Sequence, residues 1–341
     1  MSEPKWDFWI DRGGTFTDIV ARTPDGDLVT HKLLSENPDR YADAALAGIR
    51  ALLGLSLDAP LPHGQLGSVK MGTTVATNAL LERKGEPLLF LTSQGFADAL
   101  AIGTQNRPHL FRLAIEKPSM LYADAAEVPE RISASGEIIT PLDEAGTRKA
   151  LEAAYASGLR AVAISFLHGY RYPMHEARAA EIAREIGFTQ VTTGHGASPL
   201  MKFVPRSDTA VVDAYLTPIL RRYVDRVAAD LAGSEAAERL YFMQSSGGLT
   251  PSDLFQGKDA ILSGPAGGVV GAVETARAAG FEHMIGFDMG GTSTDVCHFD
   301  GAFERTLDAQ VAGVRVRAPM MAIHTVAAGG GSVISFDSGR L

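Results

Sequence analysis

A chain of 341 residues with 45% apolar and 21% charged side chains is long enough for about two globular domains and has an ordinary soluble composition. A net charge of −9 argues against nucleic acid as a partner, because phosphate backbones select basic surfaces, but it still permits a small phosphorylated ligand held by local dipoles. No run approaches the roughly 20 apolar residues of a membrane helix. The first seven residues lack the pattern of a secretion signal, and the single cysteine, Cys297, suits a reducing cytoplasm.

In chain order, Trp6 to Ile10 reads as a strand leading into Asp11-Arg12-Gly13-Gly14-Thr15, followed by a second apolar run at Ile19-Val20-Ala21. Thr23-Pro24-Asp25-Gly26 is a turn, because proline presets one torsion and glycine accepts the positive one. Tyr41, Ala44, Leu46, Ile49 and Leu52 stand at helical spacing and stop at Gly54. Strands at 68–71 and 87–91 follow. A helix opening at Asp143-Glu144, a buried-type strand at 160–166 and a helix at about 174–186 continue an alternation typical of α/β layering. Residues 207–232, with heptad-like apolar spacing, predict one long helix with a kink at Pro218. His168 and His175 are seven apart with Pro173 between them; without helical ligand spacing or a cysteine pair they predict structural roles rather than zinc.

The octet Asp11-Arg12-Gly13-Gly14-Thr15-Phe16-Thr17-Asp18 recurs as Asp288-Met289-Gly290-Gly291-Thr292-Ser293-Thr294-Asp295, with six of eight positions identical. Each copy lies between two apolar runs, so each predicts a strand–turn–strand hairpin, and the pair suggests a duplicated unit. A single Gly-Gly would pass for a plain hairpin turn; two matched copies in matched contexts would not. Paired glycines let the backbone approach an anion closely, and consecutive turn amides form a nest for phosphate oxygens. Thr15, Thr17, Thr292 and Thr294 can add hydroxyl donors. Asp11 and Asp288 would repel phosphate unless a cation lay between, which implies Mg2+ held partly through water.

These loops resemble the phosphate motifs of the acetate-kinase, sugar-kinase, Hsp70 and actin superfamily. The resemblance implies a duplicated actin/Hsp70/sugar-kinase-like (ribonuclease H-like) α/β fold in which two lobes clamp ATP. The stretch Leu262 to Glu274, with glycines at 264, 267, 268 and 271, matches the connecting helix; glycines four apart predict a surface that approaches another element closely. It has no Gly-x-Gly-x-x-Gly, so a dinucleotide fold does not fit. Within the superfamily the chain is most similar to the hydantoinase A/5-oxoprolinase family. The similarity runs through Asp11–Asp18, Met71–Arg83, Gly103–Pro108, Met243–Gly248, Leu262–Glu274 and His324–Ser332. Arg12 and Ile102-Gly103-Thr104-Gln105 look more like 5-oxoprolinases than like hydantoinases or acetone and acetophenone carboxylases.

That resemblance implies ATP-dependent opening of the lactam 5-oxoproline to glutamate, with hydrolysis completed by a hydantoinase B-type subunit or a C-terminal half of the same enzyme. It implies catalytic roles for Asp11, Asp288 and Arg12. Phosphate or nucleotide contacts fall to Gly13, Gly14, Thr15, Thr17, Gly290, Gly291, Thr292, Thr294, Gly329 and Gly330, and His324 either joins that pocket or packs. For the substrate, Arg107 either binds the carboxylate or struts its loop, and Thr73, Thr74 and Asn78 either line the cleft or cap a helix. The expected domains are an N-terminal domain over 1–195 and the start of a hydantoinase A-type domain over 196–341. The second lobe, from about 283, is expected to be incomplete, without an adenine-binding glycine motif or second connecting helix. Its open sheet edge predicts a partner in trans or a homodimer. The alternatives are a sibling enzyme for hydantoins or ketones, or a nucleotide-switched chaperone-like protein on the same fold.

Overall fold

The computed structural model describes residues 4–62, 64–105, 111–114, 117, 119–290, 294–333 and 335. The chain opens with three antiparallel strands, β1 (Trp6–Arg12), β2 (Phe16–Arg22) and β3 (Leu28–Leu34). Alternation along β1 sends Phe8 and Ile10 into the core and Trp9 and Asp11 to the other face. Helix α1 (Ala44–Leu52) is capped by Asp43, whose carboxylate accepts the Leu46 amide at 3.1 Å. It lies so close to the sheet that a Cβ on Gly48 would sit 2.1 Å from Ile19 Cδ1. The chain then crosses to β4 (Leu66–Thr73), parallel to β1, and enters the short helix α2 (Val75–Leu81).

An inserted layer follows: β5 (Leu88–Ser93), α3 (Ala99–Ile102), β6 (Asp124–Val128), the short pair β7 (Arg131–Ile132) and β8 (Ile138–Thr140), α4 (Glu144–Ala156), β9 (Ala161–Ser165), α5 (Met174–Ile186), β10 (Gln190–Thr193) and α6 (Gly194–Ala197). Its four main strands are all parallel, in the order β10-β9-β5-β6. Leu89, Leu91, Val162 and Ile164 pack with Leu151 of α4 and Ile182 of α5. The expected structural histidines are buried or half-buried there: His175 Nδ1 lies 2.8 Å from Glu130 and His168 Nδ1 2.8 Å from the Ile132 carbonyl.

The 29-residue helix α7 (Phe203–Leu231) runs on through Pro218, whose missing N–H leaves one helical bond unmade. Its Val212, Leu216, Leu220 and Val224 join Phe8, Ile10, Ile19 and Met71 in the main core. After α8 (Glu235–Glu238), β11 (Leu240–Met243) and β12 (Leu249–Pro251) complete the first sheet, in the order β12-β11-β4-β1-β2-β3. A division at 195/196 falls inside α6, and the later part of the chain thus supplies two strands of the first sheet.

Helix α9 (Ser263–Ala278) leads into β13 (His283–Met289) and β14 (Thr294–Asp300). A hairpin arm, β15 (Arg305–Val311) and β16 (Val314–Met321), folds back onto α7 before β17 (His324–Val326) pairs with β14. The resulting sheet β13-β14-β17 repeats the antiparallel order of β1-β2-β3. Among the described residues no helix is long and apolar enough to cross a membrane.

Candidate functional site

The two acidic glycine hairpins stand on either side of α9. Asp11 pairs with Asp18 across β1 and β2, and Asp288 pairs with Asp295 across β13 and β14, in the same register. A groove of about 490 Å³ lies between the first hairpin and α9, walled by Trp9, Asp11, Asp18 and Gly72 and floored by Gly264, Gly267 and Gly268. A second, of about 290 Å³, lies between α9 and the other hairpin, walled by Asp288, Asp295 and Cys297 and floored by Pro265, Gly268 and Ala272. Gly268 borders both. A Cβ on any of the four glycines of α9 would meet nothing closer than 3.7 Å, so these residues keep the groove floor low rather than admit a neighbouring helix. The helix packs instead through Ala266, Val269 and Val273 against Cys297 and Phe299.

Asp11 lies at a crevice wall, reached by solvent yet surrounded by protein. Burial raises its carboxyl above the usual carboxylate range, Asp18 and Asp288 add to the rise, and Lys32 opposes it. The charge of Asp288, on the second hairpin, is thus among those that act on Asp11. Lys32 answers Asp18 at 2.7 Å, and at the matching place Thr325 donates to Asp295 at 2.6 Å. No group of three His, Cys, Asp or Glu side chains converges as a metal site among the described residues. A hard divalent ion here would draw on one or two carboxylates, water and phosphate oxygens, the donor set Mg2+ prefers.

In the first loop the Gly13 amide bonds the Phe16 carbonyl at 3.0 Å, while no hydrogen bond from the Gly14 or Thr15 amide is made within the described residues. Thr15 is exposed. Thr17 and Thr294, expected as phosphate donors, are buried at equivalent places: the Thr17 hydroxyl lies 3.0 Å from Ser35 Oγ, and Thr294 donates to the Ala328 carbonyl at 2.6 Å. Thr17 sits on the core-facing side of β2 and Thr294 at the matching place on β14, so each braces its loop from behind. Gly330 donates its amide to the Gly290 carbonyl at 2.9 Å, and Gly329 closes a turn with Ser332. His324 pairs with Val296 in the sheet and is exposed. Gly291 and Thr292 lie outside the described residues, as does Arg107.

Arg12 is turned away from the groove. Successive strand residues face opposite sides, so its guanidinium stacks 5.1 Å from the Tyr223 ring of α7, and its buried Nε has no partner among the described residues. Thr74 donates its amide to the Arg12 carbonyl at 3.2 Å. Asn78 Nδ2 lies 3.4 Å from Thr74 Oγ1 and beside Gly14, so Thr74 and Asn78 do converge on the first loop. Thr73 is buried; its hydroxyl accepts the Val75 amide at 3.2 Å and its carbonyl accepts the Ser263 hydroxyl at 2.8 Å. Ser263 lies inside the stretch matched to the connecting helix. It ties the start of α9 to the end of β4, a contact between residues far apart in the chain.

The family model for the hydantoinase/oxoprolinase N-terminal region matches residues 7–187, and that for hydantoinase/oxoprolinase matches 206–341. The chain belongs to this family. It is 42% identical to 5-oxoprolinase 1 of Arabidopsis thaliana over 99% of this chain and 29% of that protein. Among solved structures it is similar to the ATP-dependent caprolactamase of Pseudomonas jessenii, with a TM-score of 0.83 and 31% identity over 97% of this chain and 49% of that one. It also resembles nucleotide-free acetone carboxylase, with a TM-score of 0.78 and 26% identity over 98% of this chain and 50% of that one. The chain thus spans less than a third of the 5-oxoprolinase and half of each solved relative. With these family members the chain shares the duplicated α/β, actin-like ATPase fold; the strands that repeat the first lobe's opening sheet are β13, β14 and β17.

Proposed function

We propose that this chain is the ATP-binding part of an ATP-dependent lactam hydrolase that phosphorylates the carbonyl oxygen of 5-oxoproline so that the ring can be hydrolysed to glutamate. The observation carrying this reading is that Asp11 and Asp288, from two like hairpins, wall neighbouring grooves on the two sides of α9 that share Gly268 as floor. Two carboxylates at a phosphate-type loop call for a cation between them. Mg2+ bound there would neutralise charge on the transferred phosphoryl group.

ATP has a physical reason. Amide conjugation, reflected in a rotation barrier of about 18–20 kcal/mol, makes the lactam carbonyl a poor electrophile. In the proposed reaction a bond forms between that oxygen and the γ-phosphorus as the bond from phosphorus to ADP breaks. Water then adds at the ring carbon, the C–N bond opens with a proton going to nitrogen to leave an acyl phosphate, and a second water releases phosphate to give the carboxylate. In this chain the free amides of Gly14 and Thr15 and the Thr15 hydroxyl would hold the phosphate, and Thr74 and Asn78 would flank it. Gly290, Gly291 and Thr292 would do the same from the second lobe. Arg107 is proposed for the substrate carboxylate; the buried stack on Tyr223 leaves Arg12 a bracing role.

The 5-oxoprolinase relative is more than three times as long as this chain, and the caprolactamase relative is named as a subunit alpha. Both support a hydrolytic partner, as a B-type subunit or a further half of the same chain. A cytoplasmic setting suits the lone thiol of Cys297. The likeness to a lactam-opening enzyme exceeds that to acetone carboxylase, which favours a cyclic amide over a ketone. The test is ADP release by the full-length enzyme with 5-oxoproline, caprolactam, hydantoin, acetone or unfolded peptide. Stimulation by 5-oxoproline is expected. Stimulation by hydantoin or acetone alone would move the enzyme to a sibling activity, and by unfolded peptide alone would reject an enzyme of this kind.

A further inference from the structure

We infer that Ser35, which follows β3 and stands outside the repeated motif, is the positioning residue of the first phosphate loop. This rests on the ATP reading above. Ser35 is buried, with 4% of its surface exposed, and makes three contacts with one loop. Its amide donates to the Thr15 carbonyl at 2.9 Å. Its hydroxyl donates to the Gly13 carbonyl at 2.7 Å. Thr17 Oγ1 lies 3.0 Å from the same hydroxyl oxygen. A serine hydroxyl has one proton, and here it is committed to Gly13, so Thr17 is the donor in that third contact.

The relay therefore has a direction, from Thr17 to Ser35 to Gly13. It fixes the carbonyls of Gly13 and Thr15, and with them the Gly13–Gly14 and Thr15–Phe16 peptide planes. A peptide group is planar, so pinning the Gly13 carbonyl also pins the Gly14 amide on the opposite edge. That amide and the amide of Thr15 carry no bond within the described residues. The cluster holds the Gly14 donor directly and brackets the Thr15 donor between two fixed planes, without touching what they would bind.

The second lobe repeats the arrangement by other means. Thr294, at the place of Thr17, donates to the Ala328 carbonyl at 2.6 Å, and Gly330 donates its amide to the Gly290 carbonyl at 2.9 Å. There the segment after β17 reaches back with backbone groups alone. In the first lobe a side chain performs that task, so one substitution can loosen one loop and spare the other.

The experiment compares Ser35→Ala, Thr17→Val and Thr17→Ser in the full-length enzyme. The first two are expected to raise the KM for ATP about tenfold while kcat and the KM for the lactam stay within about twofold, the pattern of lost binding rather than lost chemistry. Thr17→Ser keeps the donor and is expected to restore the wild-type KM. In the nucleotide-free proteins, amide exchange over residues 13–17 should quicken in Ser35→Ala and stay unchanged over 288–290. An unchanged KM with unchanged exchange, or a loss equally severe in Thr17→Ser, would overturn the assignment. A wild-type enzyme indifferent to ATP, yet with faster exchange in Ser35→Ala, would reject the ATP reading and support the brace.

Discussion

The two hairpins match in register and differ in cover. Phe8 and Ile10 on β1 are 0% and 3% exposed beneath α1 and α7, whereas Ile285 and Phe287, at the same places before the second motif, are 73% and 65% exposed. Yet Asp11 faces Asp18 as Asp288 faces Asp295, and a buried threonine anchors each loop. Strand pairing and that anchor therefore specify the loop locally, and the covering helices add stability to the lobe rather than shape to the bend.

The largest effect expected tests whether both lobes serve one ligand. Asp11→Asn and Asp288→Asn should each lower ATP turnover of the full-length enzyme about 100- to 1,000-fold, comparable to removing a principal electrostatic group, measured as ADP release over a Mg2+ titration. A loss confined to one lobe would break the symmetry. Next, Ile10→Ala should cost this chain about 2–5 kcal/mol, as for a buried aliphatic residue, while Phe287→Ala should stay within about 0.5 kcal/mol, as at an exposed site. Urea unfolding reads both, and equal costs would mean that the second sheet face is covered in solution.

A smaller effect concerns pH. Burial, then Asp18 and Asp288, raise the Asp11 carboxyl, so the folded chain keeps that proton to higher pH than the unfolded chain. Stability should accordingly fall as pH rises from the ordinary carboxylate range through the raised value. Asp11→Asn should flatten that stretch of the curve in thermal melts of the nucleotide-free chain; parallel curves would remove the repulsion from the account. The smallest effect is expected at the exposed Lys32–Asp18 pair, where Lys32→Met should change stability by at most about 1 kcal/mol in the same urea experiment.

The duplicated hairpins, α1, α4, α5, α7 and α9 were legible because their signals are local: a repeated octet, the Asp143 cap, apolar spacing and a glycine-rich helix. The face occupied by Arg12 was also legible, since strand alternation separates it from Asp11, but its tie to Tyr223 depends on α7, two hundred residues later. The β15–β16 arm was hidden because β17 returns to β14 across it, a pairing no local pattern encodes. Ser35 carries no motif; only the pairing of β2 with β3 delivers its hydroxyl to Gly13. Thr17 was recognised by type, and strand alternation sets it on the side of Ile19 and Ala21, behind the loop.

Glycine within a helix lowers its stability by roughly 0.5–1 kcal/mol relative to alanine, and α9 carries glycine at 264, 267, 268 and 271 where a methyl group would fit. Steric necessity does not explain that choice. What these positions specify is emptiness: both troughs are carved into one rod, and a bulkier residue at Gly268 would fill them together while leaving the folded interior undisturbed.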